Sequence, residues 1–372
     1  MCDQRVAQRS VDLSVAHACI LTDVRERKQN NRSVTMLNFA KYAAVMTALG
    51  PMTPHGALAA EPVKVKVFIG TMFEIGDNTG DRAGEYQHWF EKYWQGAELM
   101  DVPGAMRGVH CNDDGVCGSV LGMGKVNSSA SMQAILLNPR FDFSEAYYVL
   151  SGVAGTPPSR GTIADVSWAT WLVDYDLGHR WAPEEGEAGA PVFIPRKGYE
   201  AYRLFEMNPA LVAAAVNLSK DVPLQDSESA QTYRMRYPDA AAQAAPSVKT
   251  GTHMTGDTFF HGPGLSNEAQ YIANLYGADD YLITEMEAAA LALVINRTHG
   301  TERILSLRGA VNFDQGNPDE TTQQHLDPAP GETAGGFSET VANITLVGAP
   351  VVDAIVSDWE SWRTGVPAQS DN

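Results

Sequence analysis

The chain has 372 residues, 44% of them hydrophobic, and a formal net charge of −18. That length and apolar content allow one large buried core or two modest ones, so the chain is globular. Residues 1–60 carry seven Lys/Arg against four Asp/Glu, which leaves 20 against 41, a net −21, for the remainder; so acidic a surface repels phosphate backbones and anionic lipid, which argues against nucleic acid and membrane-surface partners and leaves a small neutral or cationic ligand.

The first sixty residues read as an address. Met36 opens MLNFAKYAAVMTALGPMTPHGALAAEP, with Lys41, an apolar stretch from Tyr42 to Leu49 and the small-residue site Ala57-Leu58-Ala59 before Ala60. This is the pattern of a cleaved secretory signal. Pro51, Pro54 and His55 make it too short and too broken to span a bilayer. The polar residues 1–35 would form an unusually long leader, so Met36 is the expected start. The expectation is therefore an upstream segment and cleaved signal over 1–60, one domain over 61–372, and a periplasmic or secreted location. A disordered tail before the fold is the alternative. Of four cysteines, Cys111 and Cys117 in HCNDDGVCG remain after processing. They are either bonded across a hairpin turning at Asp113-Asp114-Gly115 or free thiols, and their spacing matches no metal motif.

In chain order, 63–69 alternates or runs apolar and predicts a strand, followed by an acidic loop with Glu74, Asp77 and Asp81. Residues 84–100 pattern as a helix, 116–121 as a strand, 125–137 as a helix, 147–150 as a strand entering SGVAG, and 165–173 as another strand. A loop-rich region covers 174–198. Helical stretches follow at 199–218 and 228–236, then a strand at 247–255, a helix at 266–276, a strand at 281–284, a helix at 285–299, a strand at 302–311 and a final helix over 338–362. Strands alternating with helices predict an α/β fold, a single domain with a mixed central sheet flanked by helices. No later run reaches the ~18 uninterrupted apolar residues of a membrane span, and VANITLVGAPVVDAIV reads as a packed helix. In such sheets ligands gather at the carboxyl ends of strands.

Several motifs fail on inspection. LGMGKVNSSAS at 121–131 lacks the glycine or the Ser/Thr that a phosphate loop or a dinucleotide fingerprint requires, leaving a glycine turn that opens a helix. His253 and His261 have no spaced acid partner, so no metal is expected. In YLITEMEAAALALVINRTH, two acids sit where an apolar run meets an alanine-rich one. With a helix starting at Glu285, Glu285 and Glu287 lie about 200° apart around the axis. One reading is a capping box, Thr284 capping and Glu287 reaching back to its amide.

The second reading comes from a resemblance. VFIGTM, LGMGKVN, YVLSGVAGT with Asp165-Val166, TGDTF, ITEMEAAALA and SLRGAVN occur in the order found in the nucleoside phosphorylase and nucleosidase superfamily. Within it, HMTGDTFFHGPG, the long middle region and the leader look most like the purine nucleoside permease family. The resemblance implies a purine nucleoside as ligand, with Glu287 accepting hydrogen bonds from the ribose hydroxyls, Met286 under the sugar and Phe259 stacked on the base. Glu285 is then the outward acid. Asn312 stands where many members carry Asp; either its amide stabilises the departing base or Asp314 supplies the acid. Gly152 and Val153 line the substrate in SGVAG, Val153 replacing a phosphate-binding Ser. Glu74 takes the place, one residue off, of the glutamate with which nucleosidases activate water. No cofactor is implied, and phosphate is the alternative co-substrate. Hydrolysis edges ahead of phosphorolysis, and a non-catalytic component of nucleoside uptake, with a transporter as partner, is the rival. The resemblance also implies a homo-oligomer.

Overall fold

The computed structural model describes residues 61–326 and 335–367, which belong to one compact unit. The leader read over residues 1–60 lies outside the described residues. The strands are β1 (Val63–Lys64), β2 (Val67–Thr71), β3 (Leu99–Met100), β4 (Val109–Cys111), β5 (Val116–Val120), β6 (Phe141–Asp142), β7 (Tyr147–Thr156), β8 (Val166–Asp174), β9 (Gly178–Arg180), β10 (Phe193–Pro195), β11 (Leu204–Glu206), β12 (Val248–Thr255), β13 (Tyr281–Glu285) and β14 (Ile304–Phe313). Ten of them form one sheet in the order β11-β8-β12-β13-β7-β2-β5-β4-β3, with β14 pairing both β7 and β8. Because β14 runs parallel to β7 over nearly its whole length and antiparallel to β8 at Leu307–Gly309, strands β8, β12, β13, β7 and β14 close on themselves. Parallel and antiparallel pairs coexist, so the sheet is mixed, and helices flank it as the sequence predicts.

The central strands read as near-continuous apolar or small-residue runs because both faces are covered. All five residues of β2 are buried, as are nine of the ten of β7. Helix Phe337–Ser357 is long and apolar enough to cross a membrane by composition, yet most of it is buried, with Val347, Val351, Val352 and Ile355 in the main core. Gly348 lets it approach: a Cβ there would lie 2.5 Å from the Trp89 ring and 2.7 Å from Leu307. Local signals stop and start the helices where they should. Asn208 accepts from the Ala210 and Leu211 amides ahead of helix Pro209–Ser219, and Gly277, at φ 69°, ends helix Pro263–Tyr276 in the left-handed region.

Several boundaries differ from the sequence reading. The helix expected over 84–100 is confined to Gln87–Tyr93, since Leu99–Met100 is claimed by the edge of the sheet as β3. The α-helix expected from 199 does not start until Pro209: Glu200–Tyr202 forms a single 3-10 turn, and Leu204–Glu206 pairs with β8 as β11. The loop-rich 174–198 contains the hairpin of β9 and β10. Sheet pairing overrides local pattern in all three cases. Cys111 and Cys117 are bonded, across the β4–β5 hairpin, where residue-opposite-residue pairing puts their Cα atoms 4.1 Å apart.

Helix Gln87–Tyr93 is held on the sheet by Trp94, whose indole nitrogen donates to the Val116 carbonyl and whose ring covers Gly118. A Cβ at Gly118 would come within 2.5 Å of two ring atoms and 2.9 Å of the Ile69 carbonyl. Gly118→Ala is expected to lower the unfolding free energy by about 1 to 3 kcal/mol, read from the urea midpoint, by displacing the indole.

Candidate active site

Strand β13 delivers the two acids of TEME, and the structure corrects how they are used. The helix begins at Ala288, three residues later than read from the sequence, because Glu285 is still in register with Thr255 of β12. Glu285 itself caps the helix: one carboxylate oxygen accepts from the Glu287 amide at 2.8 Å and the Ala288 amide at 2.7 Å, and Thr255 Oγ1 accepts from Ala289. The Thr284–Glu287 capping box does not form. Nor does Glu285 face outward. Its side chain is fully buried and lies 2.9 Å from Arg308 Nη2.

Glu287 is 3% exposed and turned inward, as the resemblance implies. Its Oε1 accepts from the Gly124 amide at 2.8 Å and its Oε2 from Arg308 Nη2 at 3.2 Å. Arg308 comes from β14 opposite Gly152 of β7. A Cβ on Gly152 would lie 2.5 Å from Arg308 Nη1 and 2.8 Å from Glu85 Oε1, so only a glycine leaves room for both the guanidinium and the carboxylate over the strand. Glu85 is buried and accepts from the amides of Met72 at 2.6 Å and Val153 at 2.7 Å.

Three carboxylates therefore surround one guanidinium. Burial pushes the Glu85 carboxyl up to about 7, against the pull of Arg308 and the Val153 amide, with Glu287 adding to the rise. Burial also raises Glu287, opposed by Arg308 and reinforced by the charge of Glu285. Burial works against the charge on Arg308, but Glu285, Glu287 and Glu85 outweigh it and raise its pKa. The cluster has more negative than positive charge, which suits a cation forming beside it and disfavours an anion.

Glu74, the acid that the resemblance suggests for activating water, is held by its own loop. Its carboxylate accepts from the amides of Ile75, Gly84, Tyr86 and Gln87, folding the 75–87 loop back on itself at the start of helix Gln87–Tyr93. The loop delivers Glu85 to the strand ends instead. A separation of 13 positions between Met72 and Glu85 hides that relation in the sequence.

Among the other candidates, Val153 is half-buried and contributes its amide to Glu85; Met286 is half-buried between the two acids. Asn312 is half-buried on β14 opposite Gly155, its amide nitrogen 2.8 Å from the Phe313 carbonyl, just past a register shift. Asp314 is fully buried and accepts from Tyr281 Oη at 2.9 Å, burial holding its carboxyl up to about 6. Its backbone bonds Thr156 and Gly262, so it ties the end of β14 to two neighbouring segments. Of the two donors considered for the base, Asn312 is the accessible one. Phe259 is 48% exposed on the loop after β12, its ring 5.1 Å from His261, while Phe260 turns inward onto Tyr175. His253 is fully buried between Ser306 and Ser167 hydroxyls, and burial holds it neutral.

A family model described as purine nucleoside permease matches residues 64–367. A probable purine nucleoside permease of Schizosaccharomyces pombe is 27% identical over 357 residues, covering 87% of this chain and 99% of that protein. A purine nucleoside permease of Candida albicans is 27% identical over 338 residues, 82% of this chain and 79% of its own length. Among solved structures, a 5′-methylthioadenosine/S-adenosylhomocysteine nucleosidase from Neisseria meningitidis aligns at TM-score 0.48 and 17% identity, over 78% of this chain and 99% of its own.

Removing the guanidinium leaves the buried acids uncompensated, so Arg308→Met is expected to cost about 3 to 5 kcal/mol of stability near neutral pH by chemical denaturation. Carboxyls whose folded pKa lies above the unfolded value bind more protons folded than unfolded, so the variant should regain stability as pH falls toward the unfolded carboxyl range.

Proposed function

We propose that this chain, which belongs to the purine nucleoside permease family, binds purine nucleosides and splits their N-glycosidic bond with water. The observation that carries this reading is the buried meeting of Glu85, Glu287 and Arg308 over Gly152 and Val153.

An ionised carboxylate offers roughly four lone-pair sites. Glu287 uses one on Gly124 and one on Arg308, which leaves one on each oxygen for the two vicinal ribose hydroxyls. Met286 packs under the sugar and Phe259 covers the base. Glu85, with a carboxyl near 7, takes a proton from water; the water oxygen bonds to the anomeric carbon as the bond to the purine nitrogen breaks. The electron pair leaves with the base, where the Asn312 amide donates a hydrogen bond and solvent supplies the proton. The excess negative charge stabilises the oxocarbenium character of the sugar. It also repels phosphate, and Val153 offers phosphate no hydroxyl, which supports hydrolysis over phosphorolysis.

A second reading follows from the names of the relatives: a nucleoside-binding component that assists uptake without chemistry. For location, the Cys111–Cys117 bond supports an oxidising compartment, in keeping with the export signal read from the sequence.

The purified protein given inosine or adenosine is expected to release free base with no phosphate present, the rate rising with pH and levelling off above about 7, because only ionised Glu85 accepts the proton. Glu85→Gln should lower kcat about 10²- to 10⁴-fold with binding retained. Glu287→Ala should abolish saturation by nucleoside. Strict dependence on phosphate would establish phosphorolysis, and binding with no release would establish the uptake reading.

A further inference from the structure

Lys125 of GMGK has no part in the chemistry above, yet it is the most heavily engaged lysine near the site. It opens helix Lys125–Leu136 directly after Gly124, whose amide holds Glu287. Its ammonium lies 2.8 Å from Asp176, 3.1 Å from Asp174 and 4.0 Å from Asp257, and it is 17% exposed. Its backbone amide donates to Asp257 Oδ1 at 2.7 Å. The acids are linked in turn. Asp257 N donates to Asp176 Oδ2 at 2.7 Å, and Asp174 Oδ1 accepts from the amides of Asp176 and Leu177.

Three segments are thereby joined at one cation: the turn after β5 that supplies Gly124, the end of β8 with the turn that follows it, which supply Asp174 and Asp176, and the loop after β12 that carries Asp257 and Phe259. Burial works against the lysine's charge, but Asp176 and Asp174 outweigh it and raise its pKa. Without the cation, three carboxylates within one small volume repel one another, and the loops that bear them separate. Gly124 would be the first to feel this, since a Cβ on it would lie only 3.2 Å from Asp257 Oδ1.

We infer that Lys125 is a positioning residue for nucleoside binding, an electrostatic tether that holds the base-covering loop 256–262 against the Gly124 amide that orients Glu287. This rests on the function proposed above. The geometry assigns it to ground-state binding and not to the bond-breaking step, because the groups it fixes are the sugar and base contacts and it touches none of Glu85, Arg308 or Asn312 in the contacts described. Arginine at 125 would keep the charge and reach the same carboxylates; methionine keeps the length without the charge.

The test compares Lys125→Met and Lys125→Arg with the parent protein by amide hydrogen exchange without ligand and by steady-state kinetics with a purine nucleoside. The expected result for Lys125→Met is exchange about 10-fold or more faster at residues 122–126 and 256–262, with the amides of β7 and β14 unchanged, since a local opening leaves the core closed. KM should rise about 10-fold while kcat moves by less than about 3-fold, the signature of lost uniform binding, and Lys125→Arg should restore both. Unchanged exchange in the two segments, acceleration spread evenly over the sheet, or a fall in kcat at constant KM would overturn the assignment. A parent protein that neither binds nor cleaves nucleosides would sink the proposed function alone, because the exchange comparison needs no ligand and still decides whether the tether exists.

Discussion

The guanidinium of Arg308 is the constraint on which the site depends. It is almost wholly buried, and the three glutamates around it are buried too. Each of those charges would be too costly to bury alone, and each is tolerable only because the others are there and backbone amides satisfy the remaining oxygens. Glu285 spends its carboxylate on Arg308 and the first turn of a helix. Glu287 spends part of its own on Arg308 and Gly124. Glu85 is held by the amides of Met72, just past β2, and Val153, within β7. The result is a preset acid pair beside a fixed cation, with the excess charge negative.

The fold supplies this arrangement by closing a sheet on itself. Because β14 pairs with both β7 and β8, the ends of β2, β7, β13 and β14 converge, and segments distant in sequence meet there. Gly152 removes the side chain that would otherwise keep Arg308 and Glu85 apart. Around the rim, Lys125 gathers three loops whose acids could not otherwise sit together. The same principle operates twice: a single buried or half-buried cation lies among several carboxylates, once at Arg308 and once at Lys125.

Glu74 and Glu85 show how such a site is missed by reading along the chain. Both are acids in one loop, and proximity in sequence to β2 favours Glu74. In space Glu74 is consumed by the amides of its own loop, and the loop's length carries Glu85 back to the strand ends. Glu285 shows the converse error. A helical wheel placed it opposite Glu287 and therefore outside, but the residue is still in a strand, and the wheel does not apply until Ala288.

While the inward role of Glu287 came only from the family resemblance, what the sequence determined by itself was the class of fold, the order of its main strands and helices, the packed character of the last helix, and a glycine turn opening the helix at Lys125. These are properties of local periodicity, turn chemistry and short motifs, and they survive because tertiary packing agrees with them. Only the tertiary structure decided the rest: the replacement of α-helix by strand at 99–100 and 204–206, the Cys111–Cys117 bond, the burial of Glu285, and the appearance of Glu85 and Arg308 together. Each of those depends on which distant segments lie side by side, and a buried charge has meaning only in the company of the partner that neutralises it.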